Sequence, residues 1–577
     1  MSRATVFLIG LAVASAPLVL GAQASVRGVV RDSTTQLPIA GAVVTPYDSA
    51  GLAGRRTLSD ERGAYAVPAE ARARRLRVVR LGFRPVDIDV PLQRGGVEPI
   101  DIVMARIPYT LQPVRVVSGA NCPRRSDRAA ALALLEDARA GLLASVVART
   151  EKPARMKRVL VDRRLDAASN TVIRHGAQVQ MVPSTVAAFG AAKSAAKFVV
   201  DGFATDDGSG ATFYAPDADV LLDDGFAGGY CFHVLERNRA RPNQVGLAFR
   251  AATRRQGRID VDGALWIDTV ARALVDIEYR YVGLPPTVMF LEPGGRVAFR
   301  ELPNGVVLID RWMLRLVGME PDTIRRPLDP VQRPRETGQV VGARQLLVGE
   351  VGGELARVTF EDGYTWAASL GTLALTVTND SGAPRPGVIV RLDDTNYEAT
   401  TDSTGRLEIV DLVPGPYATL IADTRLDAID VSLSTPLSFE AVRGRTSVFT
   451  LRVKTAEDFV ADRCLADRRP ATFSGTRPPA PGSSFLIGRV FSPTREPVGG
   501  VLWAPRMYHE GRDWEVMSGS DDVTGTDGLF VYCGLPIGGN VTLTFRKAGM
   551  ITGSVGRDIK DPLTVIAVQM DAEKKRR

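Results

Sequence analysis

The sequence predicts a mainly β protein: three β-sandwiches plus one α+β, antiparallel, half-barrel-like domain. Three observations predict it. One ordered pattern of turn residues and short apolar strands occurs three times, at Pro38…Gly63, Pro384…Gly405 and Pro497…Gly528. Between the first two copies the rhythm changes to a helical stripe followed by alternating strands. The chain has 577 residues, more than one ordinary core fills and enough for about four domains.

Residues 1–24 read as a secretory signal, with Arg3, an apolar run from Val6 to Leu20 and the small-x-small site Ala22-Gln23-Ala24, so the mature chain begins near Ser25. The apolar run is short and holds Pro17, and no later stretch is apolar for long enough to span a bilayer. The signature then opens. Copy one reads Val26-Arg27-Gly28-Val29-Val30, Pro38-Ile39-Ala40-Gly41-Ala42-Val43 and Ser59-Asp60-Glu61-Arg62-Gly63-Ala64-Tyr65. Copy two reads Leu375-Thr376-Val377, Pro384-Arg385-Pro386-Gly387-Val388-Ile389 and Thr401-Asp402-Ser403-Thr404-Gly405-Arg406-Leu407, closing on Leu412-Val413-Pro414-Gly415-Pro416-Tyr417. Copy three reads Ile487-Gly488-Arg489-Val490, Pro497-Val498-Gly499-Gly500-Val501 and Thr524-Gly525-Thr526-Asp527-Gly528-Leu529-Phe530.

Each part has a physical task. Proline fixes φ at the end of a strand, and the glycine three residues on permits the reversal. The Ser/Thr-Asp pair bonds its own backbone, the next glycine takes positive φ, and an apolar residue re-enters the core. Copy three has Gly525 in place of Asp60 and Asp402, which leaves Asp527 as the substitute acceptor. Turn chemistry accounts for these residues without a ligand or a metal.

The G-x-V…P-x-x-G-(A/V)-x-V…(S/T)-D-x-x-G-x-(F/Y/L)…L-x-P-G-x-Y pattern resembles the carboxypeptidase regulatory-like domain, a transthyretin-like, Ig-like sandwich. The resemblance implies a seven-stranded fold and says little about function, because such domains accompany peptidases, receptors, glycan-binding proteins and surface scaffolds alike. It implies these boundaries: sandwich one over 25–117, a middle domain over 118–366, sandwich two over 367–455, a linker over 456–484 and sandwich three over 485–571.

The middle domain opens with a helix capped by Ser126 or Asp127, carrying Leu135, Ala138, Leu142, Leu143 and Val146 on one stripe. Alternating strands follow at Val261–Asp268, Ala273–Tyr281, Gly295–Arg300 and Val306–Trp312, with the turn Pro303-Asn304-Gly305 between the last two. The Trp266-Ile267-Asp268…Ile277-Glu278-Tyr279-Arg280-Tyr281 run is similar to a strand pair of periplasmic lipoprotein-carrier-like folds. That likeness implies a lipid or lipoprotein carrier. Pro321–Thr337 reads as an exposed loop, and Pro478-Pro479-Ala480-Pro481-Gly482 as part of the linker.

The net charge of +7 is modest for this length and implies no polyanion. The densest basic run, Arg72 to Arg80, lacks stacking aromatics and reads as a solvated strand face, so no nucleic-acid partner is expected. Four cysteines in an exported chain favour two disulfides, and of three connectivities the sequential one, Cys122–Cys231 with Cys464–Cys533, keeps each bridge inside its own region.

Catalytic and cofactor chemistry find little support. His175, His233 and His509 are the only histidines. His233-Val234-Leu235-Glu236 spells half of a zinc-peptidase site, but no second histidine follows in that domain, and on a strand the two side chains fall on opposite faces. The acidic pairs Asp206-Asp207, Asp223-Asp224 and Asp521-Asp522 lie near glycines and read as turn formers. No enzyme, cofactor or metal is expected. Two sets of aromatics are candidate ligand contacts: Trp503, Tyr508 and Trp514 in the longer insertion of copy three, for a glycan, and Trp266, Tyr279 and Tyr281 in the half-barrel, for an apolar ligand. The expectation is an exported, non-enzymatic binding or scaffold protein of the periplasm, outer-membrane periphery or cell surface, whose partner is an envelope protein or a glycan.

Overall fold

The computed structural model describes residues 26–68, 72–91, 99–108, 122, 125–186, 195–206, 211–235, 238–253, 257–321, 344–423, 425–433, 436–467, 472–473, 484–509, 512–517, 522–550 and 553–571. The signal segment, the Pro321–Thr337 loop beyond its first residue and residues 468–471 and 474–483 of the linker, its Pro-rich run included, lie outside them. The fold is mainly β, with sandwich-like sheets and no closed barrel among the described residues. Its contacts divide it into two compact units: Met1–Arg155 with Pro183–Leu316 and Thr359–Trp366, and Met156–Val182 with Val317–Val358 and Ala367–Arg577.

Each sandwich pairs a three-stranded sheet with a larger one, and the signature fixes both turns in the same way three times. Ser59 Oγ donates to the carbonyl of Ile39 at 2.7 Å and accepts the Ala42 N–H at 2.8 Å. Thr401 repeats this with Arg385 at 2.6 Å and Val388 at 2.9 Å, and Thr524 with Val498 at 3.3 Å and Val501 at 3.1 Å. The hydroxyl is thus a strut from the second turn to the first. Asp60 and Asp402 each accept two N–H groups of their own turn, whereas Asp527 accepts only that of Leu529. The N–H of Arg406, with the hydroxyl and the N–H of Thr404, holds the Asp402 carboxyl below the usual range. Gly63, Gly405 and Gly528 sit at φ of +72°, +74° and +74°, and a Cβ there would come within 2.7 Å of a backbone oxygen on the first strand. Thr401→Val, which keeps the shape and removes the strut, leaves a buried N–H unpaired and should lower stability by about 2 kcal/mol in a urea melt.

In the first unit, sandwich one closes over Val30, Val44, Leu76, Val78 and Ile102. Its Arg75–Val79 strand alternates out and in, with Arg75 and Arg77 beside Asp87. Arg80 departs from the solvated-face expectation. It shares the inward phase of Leu76 and Val78, is buried, and donates to Glu301 and to the carbonyl of Ala40. The helix Arg125–Glu151 buries Ala131, Leu134, Leu135, Ala138 and Leu142, leaving Leu143 and Val146 half-buried. An antiparallel meander of six strands follows as part of a ten-stranded sheet, Tyr230–Val234, Gln244–Ala251, Asp260–Asp268, Ala273–Val282, Gly294–Glu301 and Val307–Pro321. Its inner face is filled with Phe203, Phe226, Phe249 and Tyr281, all fully buried.

In the second unit, sandwich two has sheets ordered Arg406–Leu412, Gly371–Thr378, Thr446–Arg452 and Glu398–Thr400, Ile389–Leu392, Gly415–Ala422, Ser438–Ala441. Val159, Val161, Ala177 and Ala356 complete the core of sandwich two, Arg174 forks onto Asp394 at 2.9 and 3.0 Å, and Lys157 meets Asp411 at 2.6 Å. Alternation alone carries no information about which sheet a hairpin covers. The expected linker also begins with structure, the helix Ala456–Asp467, whose Thr455 and Asp458 cap each other's N–H. Leu426, Ile429, Ala456, Val460, Ile487, Leu529 and Leu563 form an apolar seam that joins this helix to sandwich three. Both disulfides form as the sequential pairing requires, with Cα atoms 5.1 Å apart in Cys122–Cys231 and 6.0 Å in Cys464–Cys533.

Candidate functional site

The insertion of copy three is a strand pair, not a loop: Leu502–His509 runs antiparallel to Arg512–Met517. Period-two alternation turns Val501, Trp503 and Met507 inward and Leu502 and Tyr508 outward. Trp503 is 7% exposed and packs on Phe530 and Tyr532 with ring centroids 5.2 and 5.7 Å apart, so it is a core residue and cannot stack on a sugar. Tyr508, 51% exposed, is the aromatic of this set open to solvent. The side chains of Trp514 and His509 lie outside the described residues.

The half-barrel aromatics Trp266, Tyr279 and Tyr281 are all buried. Tyr279 and Tyr281 meet edge to face at 5.6 Å inside the packed inner face, and Tyr281 donates to the carbonyl of Tyr214 at 2.9 Å. Burial holds both phenols well above their ordinary range. Trp266 is on the opposite face, where its indole N–H donates to Glu278 at 2.5 Å and the Arg241 guanidinium lies 4.4 Å from its ring centre. Arg241 also reaches Glu278 at 3.3 Å and Asp276 at 3.1 Å, and Arg296 reaches Asp276 at 2.5 Å. Asp276 has no exposed side-chain surface, and this cluster satisfies itself.

Of the remaining sequence candidates, Asp223 caps the helix Asp224–Gly229 by accepting from Gly225 and Phe226, and Asp224 pairs with Arg139 at 2.6 Å. His233 lies on Tyr230–Val234 opposite Ala248, with burial and Arg250 lowering its pKa, while Glu236 is outside the described residues. His175 is a packing residue. Its Nδ1 accepts from Arg163 Nε at 3.0 Å, its ring meets Tyr417 edge-on at 4.8 Å, and a Cβ on Gly415 would come within 2.6 Å of it.

Burial, aided by Arg163, lowers the His175 pKa to about 4. Its unfolded value near 6.5 is higher, so the unfolded chain takes up the proton first. Stability from this group is whole above about pH 6.5 and is lost as pH falls toward 4. Wild type should lose about 3 kcal/mol more than His175→Gln between pH 7 and pH 4, measured by paired urea titrations.

A cleft of about 350 Å³ opens in sandwich two at the start of the helix Ala456–Asp467, lined by Arg385, Gly387, Ala422, Arg425, Leu433 and Glu457 among others. Arg425 is clasped by Asp423 at 2.7 Å and Glu457 at 2.5 Å, and it holds both carboxyls below their usual range. The cleft wall is therefore internally neutralised. Sequence reasoning missed it because its walls come from three separate stretches of the chain, within 385–389, 422–433 and 453–457. No group of three or more potential metal ligands occurs among the described residues, and no helix there is long and apolar enough to cross a membrane.

Residues 25–105, the first sandwich, match the family model of the carboxypeptidase regulatory-like domain. No curated protein matches the chain. Among solved structures it is similar to the Streptococcal ancillary pilin, at 11% identity and a TM-score of 0.15 over 39% of this chain and 78% of that one. It is similar to the Bacillus anthracis TIE protein at 10% and 0.14 over 63% and 64%, spanning just under two thirds of that protein. The shaft pilin SpaA from Lactobacillus rhamnosus GG gives 10% and 0.14 over 36% and 100%. Similarities at this level say nothing about what this chain does.

Proposed function

We propose that the chain is an exported, non-enzymatic binding or scaffold protein of the cell envelope, built from regulatory-like sandwiches. The observation that carries this reading is the threefold strut: the polar residues of every signature copy bond the backbone that shapes its own sandwich. The acids and arginines of the meander's outer face are likewise bound to one another. Two disulfides support an oxidising compartment. The partner is an envelope protein or a glycan. The burial of Trp503 weakens the glycan alternative, and the filled inner face of the meander weakens the lipid-carrier one.

The test expresses the chain with residues 1–24 in a Gram-negative host, alkylates free thiols at lysis, and assays the purified protein against chromogenic peptidase, esterase and glycosidase substrates. Four blocked cysteines in the periplasmic fraction and no turnover are expected. Free thiols in the cytoplasmic fraction would overturn the export, and turnover would overturn the non-enzymatic reading.

A further inference from the structure

In all three sandwiches the last strand pairs in parallel with the first and forms an edge of the three-stranded sheet. Two of these edges are guarded. In sandwich one the strand is Ile102–Met104, only three residues long. In sandwich three, Leu563 belongs to the apolar seam with Leu426 and Ile429, and Val565 packs against it. The equivalent strand of sandwich two, Thr446–Arg452, has seven residues, pairs with Thr372 to Thr378 at every position without a bulge, and leaves Val448 72% exposed.

Sheet edges are ordinarily blunted by shortness, proline, lysine, bulges or a covering segment. This edge has none of them among the described residues. Its side chains also present a regular template. Phe449 and Leu451 pack against the core, whereas Thr446, Val448 and Thr450 face outward beside Thr372, Ala374 and Thr376, a flat surface of small and β-branched groups. Exposed Arg445 and Arg452 bracket it, and neither forms an ion pair with a described residue. An antiparallel second copy centred on Phe449 would set Arg452 of one strand opposite Thr446 of the other, one residue from Arg445, and so gather two arginines at each end, which like-charge repulsion opposes.

We propose that Thr446–Arg452 is a strand-addition site for an extended segment of a partner protein, in which acidic residues flank an alternating run of small β-branched residues. The main-chain ladder supplies affinity, and the two arginines select by charge. The proposal rests on the reading of the chain as a binding scaffold and names one binding surface for it.

The test uses the full mature chain and two labelled synthetic peptides, Glu-Val-Thr-Val-Thr-Val-Thr-Glu and its lysine-flanked counterpart. The acidic peptide should bind saturably, the basic one at least tenfold more weakly, and amide exchange should slow across 446–452. Arg445→Glu with Arg452→Glu should invert the preference, and Val448→Lys should weaken binding at least tenfold with an unchanged melting curve. Equal binding of both peptides, or binding of neither, overturns the proposal. So does self-association that Val448→Lys abolishes, which would make a second copy the occupant. Protection at a different surface also overturns it while leaving the scaffold reading standing.

Discussion

Replacing Cys464 and Cys533 by serine should lower the stability of the second unit by about 4.4 kcal/mol, and the same change at Cys122 and Cys231 should lower that of the first by about 4.8 kcal/mol. The difference follows from loop length. The bridges close 69 and 109 residues respectively, and the chain entropy they remove from the unfolded state grows with the logarithm of that length. In the second unit the bridge ties the helix Ala456–Asp467 to the strand Leu529–Leu535, across a seam of seven buried apolar residues among those described. Without it, that helix should be the first part of the unit to gain fast amide exchange. Each bridge lies inside one compact unit, so calorimetry should show one transition falling by roughly 10 °C while the other stays. Variants that melt with the wild type, or that shift both transitions equally, would contradict this assignment.

The part of the fold legible in the sequence is the part that local rules enforce. A proline that fixes φ, a glycine three residues on and a second glycine after the aspartate must each be present where they stand, and all three copies carry them with positive φ at both glycines. The hydroxyl strut was not legible, because Ser59, Thr401 and Thr524 reach backbone groups 13 to 26 residues away, and only the folded sandwich brings the two turns together. Two misreadings had a signal in the sequence. Arg80 lies in phase with Leu76 and Val78, not with Arg75 and Arg77, and that phase points it inward. Val501, Trp503 and Met507 also keep a period of two, which marks a strand where length alone suggested a loop. The placement of the hairpin carrying Val159 and Ala177 on sandwich two was not legible, since alternation identifies a buried face without naming what covers it.

Asp276→Ala should cost about 3–5 kcal/mol, because it removes one partner of a buried ionic cluster and leaves the other charge behind. The two arginines on Asp276 are not equivalent. The Arg241 side chain is 16% exposed and stays under the sheet face when Asp276 is gone, whereas that of Arg296 is 53% exposed and can return to water. Arg241 keeps Glu278 at 3.3 Å and the Trp266 ring, which lessens the loss without replacing the carboxylate. Most of the effect should therefore come from Arg241, and Arg296→Ala alone should cost under about 1 kcal/mol, the scale of a solvent-screened pair. A double-mutant cycle separates the terms. Asp276→Ala combined with Arg241→Leu should recover part of the loss, since the stranded charge is then absent, while Asp276→Ala combined with Arg296→Ala should recover almost none. Equal coupling to both arginines in urea melts would show that Arg296 is held as tightly as Arg241 despite its exposure. A near-neutral Asp276→Ala would show that the outer face of the meander is wet enough to screen the whole cluster, and with it the reason for reading these charges as part of the fold.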